Sequence, residues 1–437
     1  MKKVFITYLS LCFFSFAQAQ DSTIVTEYNL NGDIPGAVYK YSFVHLTDVH
    51  IGESVDDFGT VGYDDTLLSM ENGYPSAALM SAVRWINAHA TEKDIRFVIV
   101  SGDLTDSGEK SEFMRFREIM DELDIPYVPL MGNHDTWPYT KGSNNMEAPE
   151  PKGDSIINDI FSPQFEICRS FFTEWNDGSR LNSTYNPEAR NFNFLQNFSF
   201  QYEGTTFLLT DFNPRYPARF PPGPGIGPEA QLYDFSGGTY RWVDKQLNLL
   251  SSIKEKSIIM VSHHPPIREP FGFINAFSGD EYNRLGDLFL PHKEKMGLWL
   301  AGHIHRRKSY FLSAKNRDIP IMPVVETASN KEFDNGKFLI VHVYESPVNV
   351  GISQEVYLEG MTLFPNPAQE KILVQLPVNV SDAFFTIYDM SGKEQQRTYV
   401  AFLDGHYELS LEALGTGKYF LVVTSKEGNF RIGFEKM

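Results

Sequence analysis

At 437 residues, 42% apolar and 22% charged, the chain has globular composition, and its length admits one large folded unit plus a smaller one. Its formal net charge of −18 works against loose binding to long nucleic acid, which needs Lys and Arg to neutralise phosphates. A small anion in a locally positive or metal-rich pocket remains compatible, because net charge describes the whole surface and not one cleft.

Lys2 and Lys3, the apolar run from Val4 to Phe16, and Ala17-Gln18-Ala19 follow the order of a cleavable signal peptide, residues 1–19, with the mature chain starting near Gln20. That run is shorter than the roughly 20 residues needed to span a bilayer, and no later run reaches that length, so an exported chain with no transmembrane segment is expected. Leu11 before Cys12 argues against a lipid anchor, and Cys168 is then left without a disulfide partner; it reads as a buried small apolar residue.

Short apolar runs over 41–47, 96–101, 126–131, 257–262 and 297–301 each stop at a polar cluster and read as buried strands. Helical spacing of Phe113, Phe116, Ile119, Met120 and Leu123 predicts a helix over 110–124, and a second is expected over 76–90. Strand and helix alternate, which argues for an α/β fold with ligands on the loops at strand carboxyl ends. Alternating Phe192, Phe194, Phe198, Phe200 and Tyr202, then Glu203-Gly204, then 206–210 predict a hairpin on a second sheet. Asn335-Gly336 predicts another hairpin, between 321–327 and 337–344. The expected architecture is a two-sheet β-sandwich flanked by helices, over 20–358, followed by a small all-β unit over 359–437. Residues 138–153 and 213–228, rich in Pro and Gly, are expected to be long loops, either plain connectors or a rim where Arg215, Tyr216 and Arg219 touch a phosphate.

Five polar runs follow the five strands: Asp48-Val49-His50, Gly102-Asp103, Gly132-Asn133-His134-Asp135, His263-His264-Pro265 and Gly302-His303-Ile304-His305. One such run is weak, since a solitary His is usually structural; five at successive strand ends point to one metal site. Mixed carboxylate, amide and imidazole donors suit Zn, Mn or Fe, whereas Mg or Ca would be held almost wholly by oxygen. Two cations about 3.5–4 Å apart need a shared anionic ligand and can clamp both oxygens of a phosphoryl transfer, and Asp103 is the candidate bridge. His45, His89, His292, His342 and His406 keep a structural reading, and Arg306-Arg307-Lys308 reads as a solvated loop.

These five motifs, over 41–344, resemble those of the calcineurin-like metallophosphoesterase superfamily. The resemblance implies two transition-metal ions, one held by Asp48, His50, Asp103 and His305, the other by Asp103, Asn133, His263 and His303. It implies in-line attack of a metal-bridging hydroxide on phosphorus, with His134 assisting the leaving oxygen, a role an imidazole suits because it exchanges a proton around neutral pH. Asp106 is the candidate to orient His134, with Asp135 as its rival. Asp106 stands where purple acid phosphatases have Tyr, and Ser107 where protein Ser/Thr phosphatases have Arg, so both classes lose ground. The span from Ser101 to Asp135 looks most like bacterial cyclic-nucleotide phosphodiesterases. The tail, with Leu363-Phe364-Pro365-Asn366-Pro367, Ile387-Tyr388-Asp389-Met390-Ser391-Gly392 and Leu414-Gly415-Thr416-Gly417-Lys418-Tyr419, resembles the type A sorting domain of type IX secretion, which implies passage through the outer membrane.

The sequence therefore predicts a secreted or cell-surface phosphoesterase acting on small phosphate mono- or diesters, with the type IX secretion machinery as partner and no extended nucleic acid. Its alternatives are a metal- or phosphate-binding surface protein without turnover, and an extracellular nuclease or nucleotidase.

Overall fold

The computed structural model describes residues 23–34, 36–53, 74–136, 153–215, 230–250, 257–267, 277–314, 319–331, 336–345, 357–358, 361–376, 383–389, 393–400, 406–425 and 429–437. The expected signal peptide lies outside them, as do Tyr216 and Arg219. Among the described residues no helix is long and apolar enough to cross a membrane.

Two sheets form the larger part. The first contains β1 (Ile24–Leu30), β2 (Val38–Leu46), β3 (Ile95–Ser101) and β4 (Tyr127–Leu130). The second begins at the far edge with β5 (Thr173–Asn176); β6 (Thr184–Asn186) and β7 (Asn191–Asn193) form a small separate hairpin. It continues through β8 (Phe198–Tyr202), β9 (Thr205–Thr210), β10 (Ile258–Ser262), β11 (Met296–Ala301), β12 (Lys308–Ala314) and β13 (Ile319–Glu326), while β14 (Lys337–Glu345) returns to the first sheet. The orders are β1-β14-β2-β3-β4 and β12-β13-β11-β10-β9-β8-β5. Parallel pairing of β2 with β3, β3 with β4, and β10 with β11 brings every motif-bearing carboxyl end to one side.

The sheets pack face to face on aromatic rings. Phe97 is fully buried and meets Phe43 (centroids 5.2 Å apart, stacked) within its own sheet, and Phe207 (5.6 Å, edge-on) and Phe200 (6.2 Å) across the seam. Helices α1 (Tyr74–His89) and α2 (Lys110–Met120) cover the outer face of the first sheet through Leu79, Val83, Ile86, Phe113, Phe116 and Ile119. Helix α2 starts on a capping box, the Glu109 and Glu112 carboxylates exchanging backbone hydrogen bonds, which satisfies donors the first turn leaves open. It stops at Met120, short of the expected 124, because its carboxyl end turns at Asp121.

Three expectations need correction. The Asn335-Gly336 hairpin does not form: β13 is flanked by β12 and β11, β14 by β1 and β2, so neither has an edge left for the other. The aromatic alternation is not one strand, because Phe192 belongs to the small hairpin and is 61% exposed, and only from Phe198 does the chain enter the sheet. The turn at Glu203-Gly204 does form, with both residues at positive φ (46° and 80°), as a tight hairpin requires. Arg215 is no phosphate contact: it is fully buried, donating to Asp211 at 2.6 Å and Asp154 at 3.2 Å.

Residues 361–376, 383–389, 393–400, 406–425 and 429–437 make a small β-rich region of two further sheets around Ile372, Phe385, Ile387, Leu421, Val423 and Phe430. Cys168 is buried with its thiol against the Tyr127 carbonyl at 3.2 Å, and burial pushes its pKa up to about 12.

Because Phe97 touches aromatic neighbours of both sheets, Phe97→Ala should cost about 3–5 kcal/mol. Denaturant unfolding followed by circular dichroism measures it.

Candidate metal centre

Asp48 and His50 leave β2, Asp103 leaves β3, Asn133 and His134 follow β4, His263 and His264 follow β10, and His303 and His305 follow β11. Turning this sharply requires unusual backbone. Asp48, His50, Asp103, His303 and His305 have φ of 54, 53, 48, 72 and 57°, the left-handed region that costs a non-glycine residue roughly 1–3 kcal/mol. Backbone hydrogen bonds hold the strained loops: Asp48 N–H to Gly102 O at 3.0 Å, His50 N–H to Asp103 O at 2.9 Å, and Gly302 N–H to His263 O at 3.0 Å. Glycine is needed at 132 and 302 for close approach, since a Cβ there would sit 2.1 Å from the Asp103 carboxylate and 1.8 Å from Thr47 Oγ1.

The side chains converge in two groups that share Asp103. In the first, Asp48, His50, Asp103 and His305 bring ligand atoms within 4.8 Å of one another; in the second, Asp103, His263 and His303 do the same. His50 Nε2 lies 3.4 Å and His263 Nε2 3.2 Å from the same oxygen of Asp103. His305 Nε2 lies 3.3 Å from Asp48 Oδ1, and the Asn133 side-chain oxygen 3.0 Å from His263 Nε2. A third group, His50, Asp106 and His134, adjoins the first.

These donors fit cations. His263 Nδ1 donates to the Ser101 carbonyl at 3.1 Å, which turns Nε2 toward two acceptor oxygens, those of Asp103 and Asn133. His50 Nε2 and His303 Nε2 are buried without a hydrogen bond. Donor atoms gathered this closely around shared oxygens favour a positive charge among them, a proton or a cation. The electrostatics agree: burial disfavours charge on His263, yet the Asp103 and Asp48 carboxylates override it and push its pKa up to about 9. Burial and the neighbouring His263 push His303 down to about 3, leaving a neutral imidazole. Asp103 and Asp48, although buried, are held below the ordinary carboxylate range by surrounding histidines.

The two candidates for orienting His134 are placed differently. The Asp106 carbonyl accepts from His134 Nδ1 at 2.5 Å, and the Asp106 carboxylate, 3.6 Å from that nitrogen, makes its shorter contact with His50 Nδ1 at 3.0 Å. Burial would raise the Asp106 pKa, but the His50 hydrogen bond and the nearby His134 hold it below the usual range. Asp135 is turned inward, accepting from Gly132 N–H (2.7 Å), Leu104 N–H (3.1 Å), Thr105 N–H (2.9 Å) and Thr105 Oγ1 (2.7 Å). It ties the Asp103 loop to the Asn133 loop.

Sequence reading missed the supports behind these loops. Asn213 donates to the Met131 carbonyl at 2.8 Å and faces His264 Nδ1 at 3.1 Å, while Arg215 fixes its segment through the Asn213 carbonyl at 2.9 Å. His45 bridges Ser101 Oγ (2.8 Å) and Thr327 Oγ1 (2.7 Å) beneath the centre, held neutral by burial, which is the structural role expected of it. Arg306, Arg307 and Lys308 are exposed, but only the two arginines lie in a loop, because Lys308 already opens β12.

Residues 41–307, more than half of the chain, match the family model described as calcineurin-like phosphoesterase, and the chain belongs to that family. Residues 362–432 match the model described as a secretion system C-terminal sorting domain, which marks the chain for export by type IX secretion to the cell surface or beyond. The chain is 25% identical over 237 residues to a probable glycerophosphodiester phosphodiesterase GpdQ of Arcobacter nitrofigilis, a match spanning 52% of this chain and 63% of that protein, less than two thirds of it. Similar solved structures include the purple acid phosphatase PPD1 of yellow lupin seeds (13% identity, TM-score 0.32, 91% of this chain and 54% of that one). Another is a putative 5′-nucleotidase from Staphylococcus aureus (13% identity, TM-score 0.33, 66% and 49%). The paired clusters, sharing Asp103, give this calcineurin-like phosphoesterase domain donor sets that could hold two metal ions side by side.

A cation in the second group must displace the proton that His263 holds below about pH 9, so metal affinity there should rise about tenfold per pH unit toward pH 9 and then level off. Chelator competition between pH 6 and 10 checks this, and a flat profile would contradict it.

Proposed function

We propose that the protein hydrolyses small phosphodiesters outside the cell, with Asp48, His50, Asp103 and His305 holding one metal and Asp103, Asn133, His263 and His303 the other. The observation that carries this reading is the sharing of Asp103 by two buried clusters beside a half-open His134, whose side chain is 24% exposed. Two bound metals supply Lewis-acid stabilisation of phosphoryl oxygens and lower the pKa of water.

The chain's own residues do the rest. His134 Nδ1–H is committed to the Asp106 carbonyl, so the other ring nitrogen is the one that exchanges a proton with the leaving oxygen. Asp106, ionised and bonded to His50, fixes the His50 tautomer, and its backbone aims His134; in this reading it is a positioning residue. Asp135 holds the 103–105 and 132–135 segments in register.

A diester preference is supported by the resemblance of residues 101–135 to bacterial cyclic-nucleotide phosphodiesterases and by the similarity to the Arcobacter protein, a probable glycerophosphodiester phosphodiesterase. Residues 20–358 are proposed as the catalytic unit and 359–437 as the sorting unit, following removal of residues 1–19. The acidic balance of the chain weighs against extended nucleic acid as substrate.

His134→Ala should lower kcat for a nitrophenyl diester by about 10²–10⁴. Bound metal should be unchanged, because the hydrogen bond from residue 134 to Asp103 Oδ1, 2.9 Å, is made by the backbone N–H and survives the substitution. Equal turnover by the variant and the native chain, both with metal bound, would refute the reading.

A further inference from the structure

Beside the loop that carries Asp48 and His50 lies a charged pair that belongs to none of the five motifs. Glu53 lies three residues after His50, and its N–H donates to the His50 carbonyl at 3.1 Å. Lys331 belongs to a segment fastened to the same loop: Asn330 N–H donates to the Thr47 carbonyl at 3.0 Å, and the Ser329 hydroxyl to the Asp48 carbonyl at 2.8 Å. The two side chains meet with Lys331 Nζ 2.9 Å from Glu53 Oε2, and the Tyr74 hydroxyl donates to the same carboxylate.

Lys331 is held deep for a lysine, its side chain 11% exposed. An ordinary surface ion pair adds little stability, which does not offset the rotamer freedom and hydration such a position removes. At the centre the His305, His134 and Asp106 side chains are 34%, 24% and 21% exposed, so the clusters are open to a ligand from solvent.

An ammonium has three N–H donors, and Glu53 Oε2 occupies one. A phosphodiester carries a single negative charge, whereas a monoester carries about 1.5–2 near pH 7. Resting on the phosphoesterase reading, we infer that Lys331 is a substrate-binding residue that donates to a non-bridging oxygen of the phosphate ester, and that Glu53 offsets its charge so that the singly charged diester is favoured over the monoester. Glu53 thereby acts as the specificity determinant of the pair.

The test uses the full chain loaded with Mn, with inorganic phosphate as the binding probe and nitrophenyl mono- and diesters as substrates. Lys331→Gln should weaken phosphate binding and raise KM for both esters by about tenfold, with kcat within about twofold, and Lys331→Arg should recover most of the loss. Glu53→Gln should tighten phosphate binding and raise the monoester-to-diester ratio of kcat/KM by about tenfold. Native phosphate affinity in Lys331→Gln, or an unchanged ratio in Glu53→Gln, would overturn the inference. So would loss of bound metal in Lys331→Gln that Lys331→Arg does not restore, which would make Lys331 a loop support. If the native chain hydrolyses neither ester, the phosphoesterase reading fails, while the phosphate titrations still decide whether Lys331 binds the anion.

Discussion

Asp103 brings a negative charge into the seam between two sheets at 1% exposure, where desolvating an ion costs several kcal/mol unless partners offset it. The offset comes from opposite sides: His50 from the first sheet, His263 from the second, and the His134 backbone N–H from the loop after β4. One oxygen is therefore shared between two imidazoles and the other is held by the backbone. The glycine at 132 follows from the same demand, because any Cβ there would strike this carboxylate. The positive-φ residues at 48, 50, 303 and 305 follow as well, since a gently curving loop would carry their side chains past the shared centre.

What the sheets contribute is direction and rigidity. Parallel strands send their carboxyl ends the same way, and the interlocked rings of Phe43, Phe97, Phe200 and Phe207 keep the two sheets from sliding, so ligands from both converge. Behind the ligands, polar supports replace apolar packing. Asp135, Asn213 and the Arg215–Asp211–Asp154 network each satisfy buried backbone or charge and join loops that the sequence separates by many residues.

The strand cores, and the Asp, Asn and His residues that the structure brings together, were legible in the sequence because both signals are local: an apolar run stops, and Asp, Asn or His follows. Pairing was less legible. Asn335-Gly336 carries a strong turn signal, but β13 and β14 have both edges taken by other strands, a fact set by tertiary packing that no dipeptide encodes. Arg215 looked like an anion ligand because sequence shows its charge and not the two carboxylates that fold around it. Glu53 and Lys331 gave no signal at all, being lone charges 278 positions apart whose meeting depends on two loops sharing the Thr47–Asp48 backbone.

A two-cation centre depends on the shared carboxylate of Asp103. Metal content of the full chain and of Asp103→Asn, measured by mass spectrometry after equilibration with Mn and removal of free ions, tests it most directly. The expected result is about two ions per native chain and fewer than about one in the variant, with diester turnover lost alongside, because an amide cannot offset two cations at once. An Asp103→Asn protein that keeps both ions and native turnover would contradict a centre built on one bridging charge.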